Sequence, residues 1–188
     1  MITHLPNKFV ILDTEYTSWE GSMRRNWSES WEARETVQIA AMLVEQEPEF
    51  AQLSSFSVTL RPKKNPVLSE YFTALTGITQ SDLDSSIEYE EAIKLIVDLS
   101  EGGSLPIYTW GDGDESSLKE TAAIQGQRFP TELNAMKDVR DVFEALDVST
   151  AGYQSGTIYQ ALKLPSPGQA HNALDDVLSI FVSLKSLS

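Results

Sequence analysis

Asp13-Thr14-Glu15 closes an apolar run, Phe9-Val10-Ile11-Leu12, that reads as a buried strand. Successive side chains of a strand alternate between faces, so both carboxylates emerge on the same side. Acid–any–acid triplets occur six times, and most of them, such as Glu45/Glu47 and Asp82/Asp84, read as solvated surface. Asp112-Gly113-Asp114 is different because it follows another strand candidate, Leu105 to Trp110, through a glycine-rich turn. Ligand sites in open α/β sheets gather at the carboxyl ends of strands, where both of these triplets fall. The remaining piece is His171, one of two histidines. It ends a loop rich in proline and glycine and stands just before the last helix, whose first turn carries Asp175 and Asp176.

Each piece has a plainer reading. Asp13 and Glu15 can be exposed strand-end acids, His171 a surface or capping histidine, and Asp176 a partner of the helix dipole. Taken together they describe a site. Asp13, Glu15, Asp114 and Asp176 are four hard oxygen donors in a chain without cysteine, a set suited to Mg²⁺ or Mn²⁺. Two such ions roughly 3.5–4 Å apart can hold the attacking and leaving oxygens of phosphoryl transfer. A neutral His171 is the general base that such a reaction needs near neutral pH.

The elements that must position these residues follow from the apolar pattern. Lys8 to Leu12, Thr36 to Val44 and the alternating Phe56, Val58 and Leu60 read as three strands with hairpin-like order. Helical spacing is expected over Ser69 to Leu75, Tyr89 to Leu99, Glu115 to Gln125, a short stretch through Leu146, and Thr157 to Leu162. Leu105 to Trp110 and Met136 to Val139 are the later strands, with Trp110 read as core. Asn172 is the expected N-cap of the last helix and Asp175 its capping-box partner; Leu174, Val177, Leu178, Phe181 and Val182 form its apolar stripe. Three antiparallel strands followed by alternating helices and strands make an α/β fold, a mixed sheet with helices on both faces.

These residues resemble a family. Asp13-x-Glu15, Asp114, and His171 with Asp176 five residues on match the three motifs of the DEDDh (DnaQ-like) 3′→5′ exonucleases, which have an RNase H-like fold. Pro66-Val67-Leu68-Ser69-Glu70-Tyr71-Phe72-Thr73-Ala74-Leu75-Thr76-Gly77-Ile78, Glu35-Thr36-Val37-Gln38-Ile39-Ala40 and His171-Asn172-Ala173-Leu174-Asp175-Asp176 are similar to the histone-mRNA/enhancer-of-RNAi (Eri-1-type) branch. The resemblance covers Phe9 to about Phe181. Motif placement admits Asp112 or Asp114 as the third acid, and the family spacing favours Asp114. The resemblance implies two divalent cations, Mg²⁺ or Mn²⁺, held by Asp13, Glu15, Asp114 and Asp176. It also implies a catalytic His171 and Glu15, and release of nucleoside 5′-monophosphates from single-stranded RNA or DNA 3′ ends, RNA favoured. Thr14, Tyr16, Leu75, Gly77 and Ile78 are then the residues that meet the terminal nucleotide. A DNA proofreading or repair exonuclease is the second reading, and a catalytically inactive nuclease-fold binding module the third.

Thr17 to Glu35 is a long connection between the first two strands, and it holds three of the four tryptophans with Arg24, Arg25 and Arg34. Arg24 and Arg25 are candidates for phosphate contact and Trp19 or Trp27 for base stacking. Trp27 and Trp31, four apart, also suit one face of a short packed helix, and this reading ranks first. The chain is read as one exonuclease domain over 1–188 with 17–35 inserted. Its 188 residues, 41% apolar, suffice for a core without metal or disulfide staples. No apolar stretch is long enough to span a bilayer, and no signal-peptide core stands at the N-terminus, so a soluble cytoplasmic protein is expected. A net charge of −14 argues against a duplex binder that reads phosphates directly. It leaves room for an enzyme that grips one strand end through bound cations; any protein partner is unknown.

Overall fold

Phe9, Val10, Ile11 and Leu12 are all fully buried, as an apolar run must be where helices cover both faces of its sheet. In the computed structural model, which describes residues 2–133 and 135–188, this run forms the centre of β1 (Lys8–Tyr16). The chain continues through α1 (Ser22–Arg25), β2 (Thr36–Glu45), β3 (Ala51–Thr59), α2 (Glu70–Thr76), α3 (Tyr89–Leu99) and β4 (Ile107–Thr109). It closes with α4 (Gly113–Ile124), β5 (Lys137–Asp138), α5 (Arg140–Ala145) and α6 (Ala173–Ser186). The sheet order is β3-β2-β1-β4-β5; β1, β2 and β3 are antiparallel, while β4 and β5 run parallel to β1. This is the expected mixed sheet.

Alternation along β1 and β2 sorts the core into two layers. Phe9, Ile11, Ala40, Met42 and Val44 pack with α5 and with Val177, Ile180, Phe181 and Leu184 of α6. Val10, Leu12, Ile39 and Ala41 pack on the other face with Tyr89, Ala92, Ile93 and Ile96 of α3 and Leu118 and Ala122 of α4. A smaller cluster of Val37, Phe72, Ile78 and Leu83 seats α2 beside the sheet. No helix among the described residues is long and apolar enough to cross a membrane.

Several boundaries differ from the sequence reading. The strand expected over Leu105 to Trp110 pairs only across Ile107–Thr109, and Gly111, at φ +81°, turns the chain toward α4. Leu60 lies beyond β3 and bridges Ile87. The helix expected at Thr157 to Leu162 is a 3₁₀ segment, Ser155–Leu162. Trp110 is half-buried, with its ring 6.2 Å from that of Phe143, at the edge of the core rather than inside it.

Segment 17–35 is tied to the sheet at both ends. Thr17 Oγ1 donates to the Ala33 carbonyl at 2.6 Å and accepts from the Glu35 N–H at 3.1 Å. Glu35 is fully buried, and its carboxylate accepts three backbone N–H bonds, from Lys63 and Lys64 at 2.8 Å and Asn65 at 3.0 Å. That grip directs the chain into α2, whose N-cap Ser69 accepts from the Phe72 N–H and donates to the Ser18 carbonyl. Glu35→Ala leaves three part-buried backbone donors without this acceptor. It should lower stability by about 2–4 kcal/mol in urea unfolding, with Glu35→Gln losing less. Equal losses in the two variants would show that side-chain bulk and a single acceptor oxygen contribute little and that the grip needs the full carboxylate.

Candidate active site

The alternation that buries Phe9 and Ile11 under α6 continues past the core, so Asp13 and Glu15 face α6 as well. One oxygen from each of Asp13, Glu15 and Asp176 lies within 4.8 Å of the others. Asp114 comes from the opposite layer. It sits in the first turn of α4, and its Oδ1 accepts the Thr14 N–H at 2.9 Å and the Thr14 hydroxyl at 2.8 Å. Thr14 thus links the β1 acids to α4, with Ser117 Oγ at 3.0 Å completing the contact. Asp112 precedes the helix as its N-terminal flanking residue and stands outside the cavity described below.

Asp176 is held from two sides. Ser155 Oγ donates to Oδ2 at 2.9 Å, and the His171 backbone N–H donates to Oδ1 at 3.1 Å. Gly156 makes room for this carboxylate: a Cβ there would stand 2.2 Å from Asp176 Oδ1. The start of α6 is fixed by Asn172 Oδ1, which accepts from Leu174 N, and by Gln38 Oε1 of β2, which accepts from Ala173 N at 3.0 Å. Asp175 does not close the expected capping box. Its carboxylate instead accepts the Gln169 N–H at 2.8 Å and occupies the space beside Gly168, folding the loop back on the helix. His171 follows at φ +66°, half-buried, in a left-handed conformation that non-glycine residues adopt rarely. Ser155, Gly156, Gln169 and Gln38 carried no signal in the sequence, because their roles rest on contacts across the fold.

All five of the polar residues read as catalytic or metal-binding line one cavity of about 150 Å³, together with Thr14 and Tyr16. Its other wall is apolar and aromatic: Trp19, Met23 and Trp27 from segment 17–35, Tyr71 and Leu75 from α2, and Trp110 after β4. Gly77 and Ile78 are outside this lining. Gly77, at φ +77°, ends α2 beside the Gln169 side chain, and Ile78 is buried with Phe72. Trp27 and Trp31 do not share a helix face, because α1 ends at Arg25 and both Asn26 and Trp27 have positive φ. Trp27 stacks edge-on against Tyr16 at 5.5 Å, whereas Trp31 meets Trp19 at 4.8 Å. Arg25 is engaged by Glu32, and Arg24 is exposed without a partner among the described residues; neither lines the cavity.

A model of the exonuclease family matches residues 10–181. The chain belongs to that family. The residues that the resemblance to the DEDDh group singles out, Asp13, Glu15, Asp114, His171 and Asp176, all fall inside this match. The chain is similar to the probable 3′-5′ exonuclease KapD of Bacillus subtilis, 27% identical over 95% of this chain and 83% of that one. It is also similar to the 3′-5′ exonuclease Snipper of Drosophila melanogaster, 27% identical over 93% and 67%. Human ERI1 exoribonuclease 2 is 24% identical over 89% of this chain, which spans only 26% of it. Among solved structures, the nuclease domain of 3′hExo, a DEDDh family member bound to rAMP, superposes with a TM-score of 0.81 at 20% identity. That match covers 99% of this chain and 93% of the other. Cell-death related nuclease 4 superposes at 0.76 and 18% identity, covering 96% and 63%. At these identities the structural likeness is one of fold.

Electrostatics defines what this exonuclease site can hold. Burial raises the Asp13 carboxyl well above the usual range, and the neighbouring charges of Asp114, Asp176 and Glu15 raise it further. Glu15 is raised by burial and then by Asp176 and Asp114. Asp114 is pushed up to about 7 and Asp176 to about 6, burial again the first cause. No lysine or arginine lines the cavity among the described residues. Clustered buried carboxylates without an ammonium or guanidinium partner fit divalent cations, which replace the protons the acids otherwise keep. Asp13, Glu15 and Asp176 would hold such an ion together, with Asp114 beside them. His171 moves the other way: burial lowers its pKa, so the imidazole is neutral at pH 7.

Two outcomes follow. Without divalent cations the folded chain keeps carboxyl protons that the unfolded chain has lost, because these folded pKa values lie above the unfolded ones. The stability they contribute is complete below about pH 4 and is lost as pH rises through about 6 to 7. The melting temperature in EDTA should therefore fall between about pH 5 and 8, and Mn²⁺ should reverse the fall; a rise in EDTA would refute the protonated cluster. Gly156→Ala should weaken Mn²⁺ binding by about 10–100-fold in calorimetry while circular dichroism stays native. Unchanged affinity would show that Asp176 has freedom to move.

Proposed function

We propose that this chain is a divalent-metal-dependent 3′→5′ exonuclease that removes nucleoside 5′-monophosphates from single-stranded ends, with RNA favoured over DNA. One observation carries the reading: four buried carboxylates with raised pKa values share a cavity with a half-buried histidine whose pKa is lowered. Bound divalent cations supply charge neutralisation at the scissile phosphate and acidify water. Asp13, Glu15, Asp114 and Asp176 would hold them, and Glu15 would also orient the attacking water. Neutral His171 takes a proton from that water as its oxygen attacks phosphorus. The bond between phosphorus and the 3′ oxygen of the preceding nucleotide breaks, and the departing oxygen is protonated. Asp176 serves twice, as a cation ligand and as the acceptor that fixes the His171 backbone.

The preference for RNA draws on the rAMP bound to the 3′hExo nuclease domain and on the 3′-exonuclease complex described for a histone mRNA stem-loop, both sharing this fold. DNA is the second reading, supported by Escherichia coli exonuclease I, which binds single-stranded DNA on the same fold at a TM-score of 0.68. A cytoplasmic location completes the proposal.

A 5′-labelled single-stranded RNA and its DNA counterpart, incubated with Mg²⁺, Mn²⁺ or EDTA, should shorten from the 3′ end only with metal, the RNA faster. Asp13→Ala should abolish the ladder. His171→Ala should keep the fold and Mn²⁺ binding while lowering turnover by about 10²–10⁴-fold. An active enzyme whose His171→Ala variant turns over normally would remove the histidine from the mechanism. Absence of cleavage in either metal would return the chain to the binding-module reading.

A further inference from the structure

We propose that the substrates of this site are short oligonucleotides, held through the faces of about two bases and not along a phosphate track. The inference rests on the nuclease reading of the same cavity and adds to it a substrate class.

The wall opposite the carboxylates is lined by two tryptophan rings, Trp19 and Trp27, each held in place. Trp19 is fixed by its backbone N–H donating to Ser22 Oγ at 2.9 Å and by its ring against Trp31. Trp27 is fixed by Nε1 donating to the Thr17 carbonyl at 2.9 Å, and by Arg34 lying 5.4 Å from its ring centroid. Beneath both, the carboxylate of Glu32, a residue only 3% exposed, takes the Ser22 hydroxyl at 2.9 Å and the Arg25 guanidinium. Platforms held this firmly lose little conformational entropy when a base stacks on them.

The same contacts consume the cations that a phosphate track would need. Arg25 is spent on Glu32, Arg34 on Glu120, and Lys64 Nζ donates to the Ser30 and Glu32 carbonyls. Arg24 is the one arginine of the segment without a partner among the described residues. Segment 17–35 therefore offers about one guanidinium to a strand leaving the cavity, on a protein carrying −14 charges. Each added nucleotide brings a phosphate with no counter-charge, so length adds little affinity.

The test is equilibrium binding of oligoadenylates of about 2, 4 and 20 residues to the His171→Ala variant in Mg²⁺, followed by tryptophan fluorescence. The three dissociation constants should agree within about threefold, and the slope of log affinity against log KCl should be no steeper than about −1. Trp19→Ala should weaken all lengths by about tenfold, and Trp19→Phe should recover most of the loss. Affinity for the longest strand exceeding that for the four-residue one by about tenfold, or a slope beyond about −2, would overturn the proposal. Equal affinity of wild-type and Trp19→Ala side chains, in a folded variant, would overturn the stacking half of it. Cleavage by the unsubstituted chain, run in parallel, separates the cases. An active enzyme with steep length dependence loses only the short-substrate inference, whereas an inactive one loses the nuclease reading and this inference together.

Discussion

Burial of four neighbouring carboxylates, which also repel one another when ionised, is the constraint around which this molecule is arranged. Like charges a few ångströms apart in a poorly solvated cleft oppose folding, and they persist only where surrounding structure leaves them no way apart. Here they are pinned from three directions. The core beneath Phe9 and Ile11 fixes β1, the Thr14 hydrogen bonds fix Asp114, and the cap and Gln38 contact fix α6. None of these pins can be placed by a loop alone, which is why the acids project from a central strand and two helix starts.

What was readable in the sequence had local periodicity. An apolar run that ends in Asp-Thr-Glu announces both a buried strand and two acids on one face, and the structure keeps that alternation through Glu15. Asn172 as cap and the stripe of α6 were legible for the same reason. The supports were not. Gln38 acts on a residue 135 positions away, and Ser155 on one 21 away, so neither leaves a spacing to detect. Asp175 was misread because a cap partner and a loop anchor have the same residue type in the same place. The Trp27/Trp31 spacing also misled: four residues apart implies one helix face only while the helix lasts, and α1 ends at Arg25.

The acidic composition acquires meaning only beside the ion pairs. A −14 chain with free arginines at its cavity would still draw a strand toward it. Arg25 and Arg34 instead close salt bridges to Glu32 and Glu120, converting potential phosphate ligands into struts for the tryptophans. A part-buried pair such as Arg25–Glu32 gives modest net stability at best, because desolvation of the buried carboxylate offsets attraction. Its contribution is geometric, since Glu32 holds the Ser22 hydroxyl that in turn accepts the Trp19 N–H.

The histidine is positioned by the same logic as the acids. Its loop cannot be helical through Pro165 and Pro167, yet it is not left to itself. Asp175 draws Gln169 back onto α6, Gly168 permits the close approach, and Asp176 takes the His171 N–H. Two adjacent carboxylates on one helix turn thus divide the work, one shaping the loop and the other joining the histidine backbone to the acid cluster. Any displacement of α6 along its axis would move Asp176 and His171 together, so the distance between the histidine and this one acid is set by a single element. A site assembled this way keeps its histidine in register with Asp176, while its distance from Asp13, Glu15 and Asp114 depends on how α6 packs on β1.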